Sequence, residues 1–407
     1  MTATATTSRT LAAPSSFLDR FTAGGGFSDA TLTSSAADAI SLVSGIPDHE
    51  ALPTAQLARA YARLQEDPDR LHQAFQYSGG QGIPALRQWI AAREGVSPDR
   101  ILVTTGGQQG LSLAVRALIE QDALVAVDNP IFPIFLGVLE HRSRNLAPIT
   151  VEADGIDVDQ LEQRLAAGDP IRALYTVPDF HNPTQGSLST EKRHRLAELA
   201  DRYGFWIIAD NPYREITFSG EHSDTAVFHD SENTVHVNTF SKTLGPGLRL
   251  GWLVLPERLV PSLTRLRNRD DSQTATLTQT LVTEVLNGEP EFFDANLVAA
   301  RKRYQARARL LIDQLEEKLP GQFISSLPEG GYFLWARLAD DRVDWLELRR
   351  AASTENLNYQ PGAYFPSGPG TDSDRYLRFA YGDNSEERLV EAVDRLARAF
   401  ETVRPGA

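Results

Sequence analysis

The chain has no cysteine among its 407 residues and a single methionine. Without thiols there are no disulfides and no thiolate metal sites, although this leaves the redox compartment open. Positive charge is also short. Forty Lys and Arg stand against 54 Asp and Glu, a formal net charge of -14. With no local basic patch, that balance argues against nucleic acid and anionic membrane surfaces as partners. No apolar run approaches bilayer length, and residues 1–14, rich in Ala, Thr and Ser, resemble neither a signal peptide nor an anchor. A soluble, cytoplasmic protein is expected. No internal repeat appears, low complexity is confined to the N-terminus, and no metal site is indicated. What is present is ordinary globular composition, 41% hydrophobic and 23% charged, enough to fill a sizeable core.

Short apolar runs alternate with helical periodicity. Ile101 to Thr104, Leu124 to Asp128, Ala173 to Val177 and Phe205 to Asp210 read as strands, separated by helical stretches such as Gln108 to Ile119 and Thr190 to Tyr203. Pro53 to Gln65 spaces Leu57, Tyr61 and Leu64 on one helical face, and Pro84 opens another helix. This pattern predicts an α/β fold with a mostly parallel central sheet, whose ligands gather at strand ends. From about Glu291 a long helix, two strand-like runs and a final helix predict a smaller α+β domain. The expected division is a mobile segment 1–34, an N-terminal arm 35–52 contributing to the small domain and active site, a large domain 53–290 and a small domain 291–407.

The most informative stretch is Thr239-Phe-Ser-Lys-Thr-Leu-Gly-Pro-Gly-Leu-Arg-Leu-Gly-Trp252. It places Lys242 and Arg249 on a glycine-rich turn between two strand-like runs. A lysine condenses with a carbonyl only as the neutral amine, which needs burial or a nearby positive charge, and Arg249 is expected to supply that charge. A guanidinium also forks onto phosphate, and Thr239 and Ser241 add hydroxyls. Asp210 ends an apolar strand, where a carboxylate needs a partner; it can hold a proton on a pyridine nitrogen or simply begin a turn before Asn211-Pro212. Tyr213 and Asn182, the latter in His181-Asn-Pro-Thr184, can both donate to a ring phenolate, and both have ordinary roles as a core-edge and a turn residue. Thr105-Gly-Gly-Gln-Gln-Gly110 leaves a strand and opens a helix, a geometry that favours a bound phosphate. Phe132 is placed either to stack on a planar ring or to fill the core.

Together these segments resemble the fold-type I pyridoxal-phosphate-dependent enzymes, class I/II aminotransferases, in the branch containing kynurenine/α-aminoadipate aminotransferases and MocR regulators. The resemblance spans about residues 35–402. It implies pyridoxal 5'-phosphate as cofactor, Lys242 as the imine-forming lysine and proton shuttle, and Asp210 as partner of the pyridine nitrogen. Asn182 and Tyr213 would bind the phenolate. Gly107, Gln108, Thr239, Ser241 and Arg249 would cradle the phosphate, with Phe132 on the ring. Tyr77 matches a tyrosine that reaches the neighbouring subunit's phosphate, which implies a homodimer with shared active sites. Arg378, in Arg375-Tyr-Leu-Arg378, matches the clamp on the substrate α-carboxylate, and Gly45 the substrate-side glycine of the N-terminal segment.

The chain departs from the family pattern at several places. His181 stands beside the cofactor-binding asparagine, and the glycine that follows Asn-Pro-Thr is displaced by one, to Gly186. Gly107 replaces a usual serine and Phe132 a customary tyrosine. Asp270-Asp271 would face a cationic group or solvent. The expected activity is transfer of an amino group between an α-amino acid and a 2-oxo acid in a biosynthetic setting. The alternative is elimination, replacement or carbon–carbon bond formation on the same scaffold. Transcriptional regulation of the MocR kind is not expected, because the forty or so residues ahead of the resemblance are few and not basic.

Overall fold

The structure is a computed structural model, and it describes residues 34–403. The segment expected to be mobile, apart from Ser34, lies outside the described residues. The strands in chain order are β1 (Ile40–Leu42), β2 (Ile101–Thr104), β3 (Leu124–Asn129), β4 (Leu146–Glu152), β5 (Gly155–Ile156), β6 (Ile171–Thr176) and β7 (Trp206–Asp210). They continue with β8 (Thr234–Thr239), β9 (Gly251–Val254), β10 (Phe323–Ile324), β11 (Phe333–Leu338), β12 (Leu357–Pro361) and β13 (Tyr376–Ala380).

Eight strands form one sheet in the order β2-β9-β8-β7-β6-β3-β4-β5. From β8 to β4 every pairing is parallel, whereas β9 runs antiparallel to both neighbours and β5 turns back on β4. The central strands are buried on both faces, as helix-covered parallel strands must be: Ile207, Ile208 and Ala209 of β7 are fully buried. In β8 the sequence alternates, yet all six residues are buried. Its polar positions therefore point into a helix layer rather than into water.

The second sheet, β1-β12-β13-β11-β10, is antiparallel except where β1 joins β12. The N-terminal segment thus adds an edge strand to a sheet made otherwise from residues 323–380. The helix Phe292–Lys318 packs on the terminal helix Glu386–Val403 behind this sheet. On the helix Thr54–Gln65 the buried face is formed by Ala60 and Leu64. Contrary to the periodicity reading, Tyr61 is an exposed residue; the small Ala60 lets the helix approach Thr276–Gly288 closely and turns the tyrosine outward. Among the described residues, no helix is long and apolar enough to cross a membrane.

Candidate active site

Because β6, β7 and β8 run parallel, their C-terminal ends open on one side, and β2 shares that direction through the antiparallel β9. Each delivers a different group there. β2 leads into the helix Gly107–Leu118, β6 into Asn182, β7 ends at Asp210, and β8 runs into the turn bearing Lys242. A cavity of about 220 Å³ collects them, lined by Gly107, Gln108, Phe132, Asn182, Asp210, Tyr213, Thr239, Ser241, Lys242 and Arg249. Ten of the expected site residues thus come together.

Lys242 Nζ donates to the Gly45 carbonyl at 2.5 Å and lies 5.7 Å from the centre of the Tyr213 ring. Burial, reinforced by the Arg378 cation and opposed by Asp210, lowers its pKa to about 8. The cation acting on the lysine is therefore Arg378. The expectation that Arg249 does so is not met, because Arg249 turns to the Pro246 and Thr105 carbonyls, at 3.2 and 3.4 Å. Arg378 is buried, donates to Asn182 Oδ1 at 2.7 Å and to the Val43 carbonyl, and lies over the Phe333 ring at 4.1 Å. Burial lowers its own pKa to about 9.

Asp210 has the opposite problem. Burial pushes its carboxyl up to about 7, while the Tyr175 hydroxyl, donating to Oδ2 at 3.0 Å, and the Lys242 ammonium pull it down. Tyr213 is also held well above the ordinary phenol range by burial, against the pull of Arg378 and a bond with Asn182.

At the opposite wall the backbone comes very close. A methyl group on Gly251 would lie 2.6 Å from the carbonyl carbon of Gly106 and 2.7 Å from the Gly107 nitrogen. Gly106 itself has φ of 77°, and a methyl there would lie 2.6 Å from Arg249 Nη2. The result is a bare helix start whose N–H groups face the cavity beside a guanidinium, with the Ser241 and Thr239 hydroxyls 2.8 Å apart. This is an anion cradle.

Three expected residues lie outside that lining, and of these Arg378 reaches it through Asn182. Gly45 is outside the lining but accepts from the lysine, and a methyl on it would meet Phe333 Cζ at 2.5 Å. Tyr77 is 87% exposed and away from the cavity.

Three of the departures acquire structural explanations. His181 is buried; its Nδ1 meets the Thr184 hydroxyl at 2.9 Å and its Nε2 faces Asp128 at 3.2 Å, so it braces the loop behind Asn182. Gln185 adopts φ of 63° where the family carries glycine. Its amide donates to Ser326 at 3.0 Å and accepts from the Trp335 backbone at 3.0 Å, which offsets the left-handed strain. Asp270 and Asp271 lie at the exposed surface, and each also meets a cation of the chain itself, as expected. Asp270 accepts from Arg116 at 2.6 Å, and Asp271 from Arg267 at 2.5 Å and Gln109 at 2.9 Å, tying the helix behind the anion cradle.

Three contacts escaped sequence reasoning: Tyr175 on Asp210, the Tyr332 hydroxyl on the Lys242 carbonyl, and Gln185 across to the second sheet. All depend on strand order or on loop conformation.

Comparison with known proteins accords with this geometry. The sequence profile of the family described as Aminotransferase class I and II matches residues 37–396. An aromatic-amino-acid aminotransferase of Thermococcus litoralis is 30% identical, over 89% of this chain and 88% of its own length. The alpha-aminoadipate aminotransferase of Thermus thermophilus, solved with N-(5'-phosphopyridoxyl)-L-leucine, superposes with a TM-score of 0.81 at 29% identity, covering 90% of this chain and 92% of the other. The kynurenine aminotransferase of Pyrococcus horikoshii, solved with pyridoxamine phosphate, gives 0.82 at 27%, covering 90% and 91%. The chain belongs to the class I and II aminotransferases, and is a fold-type I, pyridoxal-phosphate-dependent enzyme acting on amino acids and oxo acids.

Proposed function

We propose that the cavity at the ends of β6, β7 and β8 is the transamination site, with Lys242 as its reactive amine and Arg378 as the clamp on the substrate α-carboxylate. The carrying observation is that Lys242 and the buried Asp210 line one cavity together with the start of the helix Gly107–Leu118. Those residues fit the cofactor. Asp210 is a buried carboxylate whose burial is only partly offset by a tyrosine hydroxyl and the lysine, a charge deficit that a protonated pyridine nitrogen would fill. Gly107, Gln108, Thr239, Ser241 and Arg249 would hold the phosphate, Asn182 and Tyr213 the ring hydroxyl, and Phe132 the ring face.

When bound, pyridoxal phosphate supplies an aldehyde carbon for the substrate amine and a ring that draws off the electron pair left at the substrate Cα. The protein does the rest. Arg378, supported by Asn182, fixes the carboxylate and so the direction of the Cα–H bond. Lys242 Nζ, lowered to about 8, would take the Cα proton and deliver it to the cofactor's former aldehyde carbon, as a general base with a pKa near neutrality should. Asp210 would hold a proton on the ring nitrogen. Tyr77 is read as completing the phosphate site of a second copy, in a homodimer; its 87% exposure in a single chain supports that reading.

The relatives compared above are named as aminotransferases, which disfavours elimination, replacement or bond formation. The deciding experiment supplies amino acids one at a time to the loaded enzyme, without an oxo acid. Transamination should convert the cofactor stoichiometrically to pyridoxamine phosphate and release a 2-oxo acid. Borohydride reduction should fix the label on Lys242. A released leaving group without pyridoxamine phosphate would reject the proposal, as would a label on another residue.

A further inference from the structure

On the far side of β8 lies a second buried cluster that the amino-transfer chemistry leaves unused. His236 comes from the middle of β8, His229 from the short helix Ala226–Asp230, and Glu94 ends the helix Pro84–Glu94. All three are buried. His229 Nε2 is 2.7 Å from His236 Nδ1, and Glu94 Oε2 is 3.7 Å from the first and 3.9 Å from the second. These three distances define a triangle whose equidistant point lies about 2.0 Å from each atom, the length of a zinc–nitrogen or zinc–carboxylate bond.

The electrostatics of the triangle are unusual. Both imidazoles are buried, at 3% and 1% exposure, and their facing nitrogens are the ring atoms nearest to the carboxylate. At 2.7 Å the two facing nitrogens share a single proton. Glu94 Oε2 is buried and makes no hydrogen bond. Three electron-rich atoms therefore converge with one proton among them. The other carboxylate oxygen is held by Trp252 Nε1 at 2.9 Å and Asn238 Nδ2 at 3.2 Å, which aims Oε2 at the rings, as outer-shell donors orient metal ligands. Arg214 Nη1, 3.7 Å from Oε2, is the resident counter-charge, and Arg100 also faces His229 through its backbone carbonyl.

We propose that Glu94, His229 and His236 form a site for one divalent transition-metal ion of the zinc class, tying two helices to the strand that leads to Lys242. Two imidazoles and a carboxylate suit zinc better than magnesium or calcium. Binding would release the shared proton and compete with Arg214 for Glu94. The site lies behind the sheet from the cofactor cavity, so its role is structural.

The test uses the full-length, cofactor-loaded enzyme, stripped with chelator and dialysed against zinc chloride. One zinc per chain should remain after gel filtration and raise the melting temperature. X-ray absorption at the zinc edge should show imidazole scattering from two nitrogens together with a light oxygen ligand. His229→Gln and His236→Gln should each weaken zinc binding by about a hundredfold or more, since even outer-shell changes cost 10- to 100-fold, while keeping the visible cofactor band. No retained zinc, equal retention by the folded variants, or an absorption spectrum without imidazole would overturn the proposal. Should the variants not fold, the wild-type spectrum alone decides the ligand set.

Discussion

Replacing Tyr175 by Phe is the sharpest probe of how Asp210 is kept competent. Tyr175 is fully buried, and its ring stacks on Phe135 with centroids 3.5 Å apart and planes 6° from parallel. Tyr175→Phe preserves that stack and removes one hydroxyl. The hydroxyl donates to Asp210 Oδ2 at 3.0 Å, and a hydrogen bond to a charged group contributes about 1.5–3 kcal/mol. The bond favours the ionised carboxylate, so its loss favours the protonated acid. At about 1.4 kcal/mol per tenfold change, the ratio of acid to carboxylate should rise roughly tenfold to a hundredfold. Burial already pushes the Asp210 carboxyl up to about 7. The variant should therefore be largely protonated at neutral pH, and the midpoint for cofactor binding should move up by about one to two pH units. The assay is spectral titration of apoenzyme with pyridoxal phosphate across pH, in wild type and variant. Affinity should fall most at acidic pH and recover as pH rises. Superimposable profiles would show that the hydroxyl does not control the carboxylate.

Asp210→Asn should lower kcat by orders of magnitude, because an amide cannot counter a pyridinium charge; normal single-turnover rates with an amino donor would place the electron sink elsewhere. Arg378→Lys should weaken amino-acid binding by roughly tenfold to a hundredfold while leaving the cofactor dissociation constant nearly unchanged, since the planar fork to a carboxylate is lost; parallel spectral titrations with amino acid and with cofactor separate the two. Hybrid dimers of Tyr77→Phe with Lys242→Ala should regain part of the activity that each variant lacks, through one intact site, and no recovery on mixing would exclude a shared site. Gln185→Ala keeps the left-handed backbone but drops the bonds to Ser326 and Trp335, so it should destabilise the fold by about 1–3 kcal/mol, read as a lower melting temperature.

The sequence made the central strands and the reactive turn legible because both depend on short-range pattern. β2, β3, β6 and β7 are continuous apolar runs, and the Ser241-Lys242 turn is punctuated by glycine and proline. β4 escaped notice because Pro148 interrupts its alternation, although Ala147 and Ile149 are buried. β12 carries Asn358 and Gln360, both buried, and reads as polar because the partners of Asn358, the Ser34 backbone at 2.9 Å, come from more than 300 residues away along the chain. The identity of the cation beside Lys242 was unreadable for a different reason. Arg249 is seven residues away along the chain, whereas Arg378 arrives from β13, and only the tertiary packing of that strand against the cavity reveals which one acts. Tyr175 lay inside a recognised strand, but its role follows from β6 being adjacent to β7.

Lys242 is gripped from two directions by residues outside the large sheet. Its side-chain amine reaches the Gly45 carbonyl in the N-terminal segment, and its own carbonyl takes the Tyr332 hydroxyl just ahead of β11. Gly45 in turn presses on Phe333, and Arg378 lies over the same ring. The residue proposed to handle the proton is therefore in mechanical contact with the layer proposed to receive the substrate carboxylate. A ligand that drew Arg378 away from the Val43 carbonyl would loosen the segment that carries Gly45, so a change at the arginine would be felt around the lysine. Reactivity and recognition then share one moving part.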